Sequence, residues 1–310
     1  MAKLQKKSVK KSTATVVKKS VKQVKKVSSG YYAQIRSRHP SHSVVRNKIK
    51  LPFRTVIRFG STTELEDTID KGGGRIEINT VEAIKNSASK LRMKNCFTLK
   101  NVKTADWYYV RKNNFYHIKN HNNQIQEVVI AVENLPYPIV AKAHFGSRGN
   151  GNYLLKTQEE LQNWMKGKDL SSYLFEKFYS YVREYRIHVS KNGCFYTCRK
   201  MLKTDCKEDK NAWQRHDDNC VWILEENENF DKPVNWNEII EHCVKAVTSC
   251  GLDFGACDLR VQNNTDSEGK KRHACDFIVV EVNSAPSFGE VTLEKYKVEL
   301  RNLLIEKHNK

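Results

Sequence analysis

Three features are missing from this 310-residue sequence: a run of eighteen or more apolar residues, an N-terminal apolar stretch with a small-residue cleavage site, and any CxxC pair among its nine cysteines. Their absence argues against a membrane-spanning helix, a secretory signal, and a zinc or redox site, respectively. An apolar fraction of 39% is ordinary for a globular protein and excludes wholesale disorder. We therefore expect a soluble protein of the reducing cytoplasm, or of the host cytoplasm if the chain is viral.

Acidic residues are absent from residues 1–30, which contain ten lysines among Val, Ser and Thr. Such a segment repels itself and cannot form a core, so we expect a disordered lysine-rich arm. Two interpretations of this arm stay open. It is either an electrostatic arm for nucleic acid, a nucleoprotein or another polyanion, or a solubilising or targeting tail. The remaining residues carry about +9 of the formal +19, which suits a phosphate-rich substrate.

Downstream of the arm, the apolar pattern predicts three regions. Residues 31–50 are polar and basic without a clear period, and we expect a basic linker there. Residues 51–134 combine short strand patterns with the helix VEAIKNSASKLRMK, capped by Thr80, and predict a small N-terminal α/β subdomain. Residues 135–310 predict strand, loop, strand and helix, a hairpin turning at Asn192-Gly193, then a helix and a second hairpin. This order is typical of the α+β class rather than of a doubly wound sheet.

The most specific chemical pattern lies in ACDLRVQ and DFIVVEVN, which predict two neighbouring strands. Glu281 and Asn283 are two residues apart and therefore share a strand face, on which Asp258 of the other strand can join them. Three oxygen ligands on one face predict a hard-cation site, because Mg²⁺ commonly takes one or two carboxylates and completes its shell with water and phosphate oxygens. The alternative is a strand end whose acidic side chains are solvated.

A glycine-rich segment, PIVAKAHFGSRGNGNYLL, places Lys142 on a predicted strand before the loop at residues 146–151. Glycines let backbone N–H groups approach phosphate closely, so the loop is interpreted as a lid over a nucleotide. It is not a P-loop, because no Gly-Lys-Ser/Thr sequence follows and the next element is a strand. A plain turn is the alternative.

A third segment, LFEKFYSYVREYRIHV, interrupts an apolar run with Glu176 and then Glu184. An adenine slot needs a flat apolar wall with backbone donors and acceptors, and a ribose needs a carboxylate for its hydroxyl groups. Both requirements can be met here. An edge strand with exposed acidic residues is the competing interpretation.

In this order, the segments resemble the ATP-grasp carboxylate-amine ligases over roughly residues 79–298, and most closely the branch that adds glutamate to a ribosomal protein. The resemblance implies an ATP-grasp fold in which ATP is held between two α+β subdomains with two Mg²⁺ ions, or Mn²⁺ in their place. It implies nucleotide contacts at Lys90, Lys142, Ser147, Arg148, Gly149, Gly151, Glu176, Lys177, Phe178 and Glu184. It further implies the metal ligands Asp258, Glu281 and Asn283 and the catalytic cations Arg186, Arg199, Lys200 and Arg260.

The sequence departs from the family pattern in two places. Ala143-His144 follow the strand lysine where the family often has a proline, and the segment after Lys203 is only loosely similar. Because acceptor contacts are expected in that segment, the substrates are not identified.

The resemblance implies a ligase that moves the γ-phosphate of ATP to a carboxylate, after which an amine attacks the acyl phosphate to give an amide and ADP. Cations around the transferred phosphoryl group matter more to this chemistry than a nucleophilic side chain. The expected partners are small-molecule or peptide carboxylates and amines, without a membrane. The alternative function is a non-catalytic ATP-grasp scaffold that binds nucleic acid or a nucleoprotein through the arm.

Overall fold

The computed structural model describes residues 30–63, 75–145, 150–206, 213–215, 218–225, 230, 232–263, 265, 268–270, 273–287 and 289–310. The strands of the N-terminal half are β1 (Tyr31–Tyr32), β2 (Gln34–Ser37), β3 (Lys50–Leu51), β4 (Thr55–Phe59), β5 (Ile76–Ile78), β6 (Trp107–Arg111), β7 (Asn114–His121), β8 (Gln124–Ile130) and β9 (Ile139–Ala143). Those that follow are β10 (Asn152–Leu155), β11 (Tyr173–Lys177), β12 (Arg183–Ser190), β13 (Gly193–Leu202), β14 (Cys220–Leu224), β15 (Phe254–Val261) and β16 (Phe277–Asn283). The α-helices are α1 (Val81–Ala88), α2 (Lys90–Leu99), α3 (Gln158–Met165), α4 (Trp236–Ser249) and α5 (Glu290–His308). Short 3₁₀ helices lie at Pro40–Val45, Val132–Asn134, Leu170–Ser172 and Thr204–Cys206.

The N-terminal unit is a small parallel sheet, in the order β2-β4-β5, with β1 and β3 paired beside it. Its core is shared with α5, whose Tyr296 and Leu300 are fully buried. The prediction of a linker at residues 31–50 is therefore wrong. Val45 and Ile49 of this segment are buried in the core of the unit.

A six-stranded antiparallel sheet, which we call the first sheet, follows in the order β10-β9-β11-β6-β7-β8. Its meander turns at Lys112-Asn113 and Asn122-Asn123, where all four residues have positive φ, as tight two-residue hairpins require. Because β6 to β8 belong to the same sheet as β9 to β11, the predicted boundary between residues 134 and 135 is wrong. It would divide one hydrogen-bonded sheet.

The second sheet has five antiparallel strands in the order β14-β13-β12-β15-β16. The predicted hairpin of β12 and β13 is present, with its turn at Lys191-Asn192, one residue before the predicted Asn192-Gly193. One face packs on α4, with Tyr185, Ile187 and Leu259 fully buried. Burying a large apolar side chain stabilises a fold by about 1.5–3 kcal/mol, so this face anchors the sheet. The alternate residues of the same strands point to the other face, away from α4.

The predicted single helix at residues 81–94 is two helices, since Ser89 has an extended backbone (ψ 117°) between α1 and α2. Its hydroxyl caps α2 by accepting a hydrogen bond from the Arg92 backbone N–H at 3.4 Å. The Thr80 cap of α1 is confirmed by a bond from the Ala83 N–H at 3.3 Å. Breaking the helix at Ser89 sets the direction of α2 independently of α1.

The loop after β16 is held by the N-terminal unit. The His42 ring is buried and its Nε2 donates to the Pro286 carbonyl oxygen at 3.0 Å. Gly60 has φ +66°, and a Cβ there would lie 2.8 Å from the Cβ of Ala285, so glycine is required at this contact. These contacts fix the chain directly beyond Asn283. None of the helices in the described ranges is long and apolar enough to cross a membrane.

Candidate nucleotide and metal site

The outer face of the second sheet is polar, and its strand register brings opposite charges side by side. Arg186 of β12 lies opposite Asp258 of β15, which lies opposite Glu281 of β16. In the neighbouring row, Glu184 lies between Lys200 of β13 and Arg260 of β15. Side chains opposite one another on antiparallel strands are about 5 Å apart at Cβ, so each row forms a continuous charged strip.

Arg186 binds Asp258 in a bidentate arrangement. Its Nε donates to Oδ1 at 2.7 Å and its Nη2 to Oδ2 at 2.8 Å, while its guanidinium carbon stands 4.6 Å from the centre of the Trp222 ring. Burial opposes ionisation of Asp258, but the charge and hydrogen bonds of Arg186 outweigh it and lower the pKa of the carboxyl group. Asp258 is therefore an anion at neutral pH.

Glu281 is the second carboxylate of this row. Its pKa is raised, first by burial and then by the negative charge of Asp258. Two adjacent, buried carboxylates whose negative charges repel each other favour a bound cation, because a cation removes that repulsion. Asn283 lies one row further along the same face, and its Oδ1 accepts a hydrogen bond from the Ala285 N–H at 2.9 Å.

The donor set fits a hard divalent cation of the Mg²⁺ type. Two carboxylates and one amide oxygen lie on one face, and Mg²⁺ sites in proteins use few carboxylates and complete their shell with water and phosphate. Among the residues that the structure describes, no cluster of three or more His, Cys, Asp and Glu side chains is found.

The first sheet contributes a buried cluster of two lysines around one carboxylate. Lys142 on β9 donates to Oε2 of Glu176 on β11 at 2.5 Å, and Lys94 of α2 lies 3.0 Å from Oε1 of the same carboxylate. The three side chains are buried, with Lys94 only 1% exposed. Burial alone would raise the pKa of Glu176, but the charges of Lys142 and Lys94 lower it to about 2.

Lys90 lies one helical turn before Lys94 on α2 and therefore on the same side of the helix. Its pKa is lowered by burial, and it is close enough to Glu281, Lys142 and Glu176 to feel their charges. The pKa of Lys94 is likewise lowered, mainly by burial, and Lys94 also senses Glu281. Helix α2 thus carries both lysines to where the polar faces of the two sheets meet.

Lys94 is the residue that sequence reasoning missed. Lys90 was assigned from the resemblance, but the spacing of four residues to Lys94, beside the buried Met93 and Phe97, could have indicated a second lysine facing inward. Lys94 also donates to the Thr104 hydroxyl, which in turn donates to the Val279 carbonyl oxygen at 2.8 Å. This chain of bonds ties α2 to the strand that carries Glu281.

The connection between the two sheets runs from β11 to β12. The Phe178 backbone N–H donates to the Pro138 carbonyl oxygen at 2.8 Å, and the Lys177 side chain is exposed. Glu184 follows, with Oε2 at 3.4 Å from Nε of Arg260 and Oε1 at 3.7 Å from Nζ of Lys200. The segment predicted as an adenine hinge therefore joins the two sheets, and the predicted ribose acid lies next to two cations.

The predicted lid is only partly visible. Ser147, Arg148 and Gly149 lie outside the described residues. Gly151, at the base of the loop, has φ +78°, and a Cβ there would lie 3.0 Å from the Cβ of Ala143. Its carbonyl oxygen accepts from the Ala143 N–H at 3.1 Å, so the glycine closes the β9–β10 hairpin next to Lys142.

One sequence prediction needs correction. Arg199 lies on the face of β13 opposite to Lys200, and its Nε is 2.8 Å from Oε1 of Glu225, so it is not brought to the polar face. Strand alternation explains the error, since Arg199 and Lys200 are adjacent and cannot share a face. Glu176, for which the resemblance implies a nucleotide contact, has both its carboxylate oxygens paired with lysines.

The comparisons with known proteins agree with this architecture. The family of the carbamoyl-phosphate synthase L chain, ATP binding domain, matches residues 113–287, more than half of the chain. The chain belongs to this family. The matched range includes β9, β11 and the strands that carry Arg186, Asp258 and Glu281. No curated protein matches the chain by sequence.

Solved structures show the fold. Carboxyaminoimidazole ribonucleotide synthase from Aspergillus clavatus, complexed with ATP, aligns with a TM-score of 0.52 and 15% identity over 81% of this chain and 60% of its own. D-alanine–D-alanine ligase from Bacillus anthracis aligns with a TM-score of 0.52 and 12% identity over 89% of this chain and 96% of its own. N5-carboxyaminoimidazole synthetase from Staphylococcus aureus, complexed with ADP, aligns with a TM-score of 0.52 and 16% identity over 81% of this chain and 60% of its own. The predicted α+β class and ATP-grasp fold are thereby confirmed, and the chain spans about 60% of the length of the two synthases.

Proposed function

We propose that this family member is an ATP-dependent, ADP-forming carboxylate-amine ligase. The observation that carries the proposal is the pairing of opposite charges across the cleft. Lys90, Lys94 and Lys142 gather on one side, and Asp258 and Glu281 lie on the other, with Lys90 close to both groups. Buried lysines that gather at a cleft suit an anionic ligand, and adjacent carboxylates suit its metal ion.

ATP and Mg²⁺ would supply the phosphoryl group and the charge that activates it for transfer. In our proposal, Lys90 and Lys142 bind phosphate oxygens, Lys94 fixes Glu176 and through it Lys142, and Asp258, Glu281 and Asn283 hold the metal. Gly151 closes the hairpin whose loop would exclude water, which protects a reactive acyl phosphate from hydrolysis.

The carboxylate substrate is assigned to the cations of the polar face. Arg186, Lys200 and Arg260 stand in two adjacent rows of that face, and Arg186 is stacked on Trp222. Their guanidinium and ammonium groups would orient the carboxylate and stabilise the charge that develops during phosphoryl transfer. Glu184, between Lys200 and Arg260, is assigned to the ribose hydroxyl groups.

The finer resemblance, to the branch that adds glutamate to a ribosomal protein, leads us to propose an amino acid as the amine and a peptide or small molecule as the carboxylate. This is tested by a screen of amino acids with candidate acceptors for ADP formation, followed by the masses of the products. Hydroxylamine in place of the amine tests the acyl phosphate, because it traps that intermediate as a hydroxamate.

A non-catalytic scaffold is the second candidate. It is favoured by the fact that both oxygens of Asp258 already bind Arg186. Mg²⁺-dependent ADP release from the wild type, lost in Glu281→Ala and kept in the matched surface variant Glu290→Ala, would support the enzyme. Equal behaviour of wild type and Glu281→Ala, without ATP binding, would support the scaffold.

A further inference from the structure

The N-terminal unit carries a surface of one charge sign. Residues 1–63 contain no Asp or Glu, and the described part of this region is folded. We define the N-terminal basic surface by its six exposed cations, which are Arg36, Arg38, Arg46, Lys48, Lys50 and Arg54. The ten lysines of the arm precede it directly in the chain. Positive charge therefore extends from the arm onto a folded surface that lies outside the nucleotide site.

Two aromatic side chains stand within this surface. Tyr31 and Tyr32 form β1 and are 49% and 51% exposed, so water reaches the side chains on both faces of this strand. Nζ of Lys50 lies 5.6 Å from the centre of the Tyr32 ring, and the guanidinium carbon of Arg54 lies 5.3 Å from that of Tyr31. Each exposed ring thus has a cation beside it.

A groove of about 390 Å³ runs next to Tyr32 and is lined in part by Gln34, Arg36, Arg46 and Asn47. Its volume lies in the range of pockets that hold small ligands. The lining combines two guanidinium groups with two amide side chains, which together can bind phosphate and the polar edge of a base. The groove is therefore large enough for one nucleotide unit.

Most of the positive charge of this surface has no carboxylate partner within the described part of the chain. There, Arg36, Arg38, Arg46, Lys48 and Lys50 form no ion pair with a carboxylate. A cation that is not committed to an internal partner can exchange its counterions for phosphate, and this release drives binding to nucleic acid.

We propose that the N-terminal basic surface binds single-stranded nucleic acid, with phosphates on its cations and bases stacked on Tyr31 and Tyr32. Aromatic side chains inside a basic groove are the general means of binding single strands without sequence preference. A membrane surface is the less suitable partner, because the exposed large apolar side chains here are the two tyrosines and Val44 alone among the described residues of this unit. The proposal does not depend on ligase activity.

The test measures binding of the full chain to a fluorescent oligothymidylate of about 20 nucleotides, by anisotropy, between about 50 and 200 mM salt. In Arg36→Ser/Arg46→Ser/Lys50→Ser we expect binding to weaken at least about tenfold and the salt slope to fall by about 2, since each lost contact contributes about 0.7. In Tyr31→Ser/Tyr32→Ser we expect a loss of about 5- to 100-fold with an unchanged slope. Tyr31→Phe/Tyr32→Phe should bind as the wild type does, because phenylalanine keeps the stacking ring.

Two controls separate this surface from general charge and from loss of fold. Lys112→Ser/Lys119→Ser and Tyr153→Ser change exposed residues of the first sheet and should leave affinity within about twofold. Thermal unfolding of every variant shows whether the unit is intact. Wild-type affinity in both the triple cation variant and Tyr31→Ser/Tyr32→Ser would overturn the proposal. Tighter binding to duplex DNA, or binding only to vesicles that contain phosphatidylserine, would overturn it as well.

Discussion

The two sheets hold their charges in opposite ways. In the first sheet two lysines share one carboxylate, and the side chains of Lys94, Glu176 and Lys142 are 1%, 5% and 9% exposed. In the second sheet one guanidinium binds one carboxylate, and the side chains of Arg186 and Asp258 are 19% and 16% exposed. The lysine cluster, which we call the sealed cluster, is therefore more deeply buried than the row of Asp258 and Glu281, which we call the open carboxylate row. Charge is thus stabilised by a shared, buried anion in one case and by a more exposed ion pair in the other.

The largest expected effect comes from breaking the sealed cluster. Glu176→Ala leaves two buried lysines without their shared anion, and losing one partner of a buried ion pair costs about 3–5 kcal/mol. Asp258→Ala should cost less, because the more exposed Arg186 can recruit water. Urea unfolding at pH 7 measures both free energies. Equal losses, or a larger loss for Asp258→Ala, would contradict the comparison. Glu127→Ala, at an exposed ion pair of the first sheet, is the control.

A substitution in the open carboxylate row is expected to lower enzymatic activity without lowering the free energy of unfolding. Glu281→Gln removes a proposed metal ligand and should reduce ADP formation by about 10²–10³-fold. Its free energy of unfolding should be equal to or above that of the wild type, because the raised pKa of Glu281 means that burial disfavours its charged form. Steady-state ADP assays and urea unfolding measure the two quantities. A clear loss of stability with unchanged activity would assign Glu281 to the fold.

The pH dependence of stability gives a third test of the sealed cluster. The pKa of Glu176 is about 2 in the folded chain against 4.5 in an unfolded one, so its ionisation stabilises the fold above pH 4.5. That contribution, about 3 kcal/mol, is lost as the pH falls from about 4.5 to about 2. The difference in unfolding free energy between wild type and Glu176→Gln should therefore shrink over this window. A difference that does not change with pH would show that packing, and not charge, holds the cluster.

The smallest effect on activity is expected on the inner face of the second sheet. Arg199→Met should leave the KM for ATP within about twofold, because Arg199 lies on the face opposite to the polar one, although the change also removes the partner of the buried Glu225 carboxylate. Arg186→Met, on the neighbouring strand β12 and on the polar face, should lower kcat strongly. Steady-state kinetics of the two variants compare the faces directly. Similar losses in both would mean that the face assignment is wrong.

Local patterns predicted the second half of the chain well. The β12–β13 hairpin, whose turn lies one residue before the predicted Asn192-Gly193, and the pairing of ACDLRVQ with DFIVVEVN depend on neighbouring residues. Strand alternation then places Asp258, Glu281 and Asn283 on one face. The same alternation, applied to Arg199 and Lys200, would have placed only Lys200 there.

What the sequence did not show are contacts between distant segments. The parallel pairing of β2 with β4 joins Gln34 to Val56, and neither strand carries a period strong enough to predict it. The pairing of Glu176 with two lysines likewise depends on Lys94, which is 82 residues earlier in the chain and lies on helix α2. Helix α5, which closes the N-terminal core, was not predicted.

The central claim is that Lys142 of the first sheet, Lys90 of α2 and the carboxylates of the second sheet form one site for a metal-bound nucleotide. Calorimetric titration of ATP into wild type and Glu281→Gln, each with and without Mg²⁺, tests it most directly. We expect Mg²⁺ to tighten ATP binding to the wild type by at least about tenfold and to have little effect on the variant. The reason is that removing one group that supports a metal ion typically lowers metal affinity by about 10- to 100-fold. Equal Mg²⁺ dependence in the two proteins, or no ATP binding to the wild type, would contradict the account.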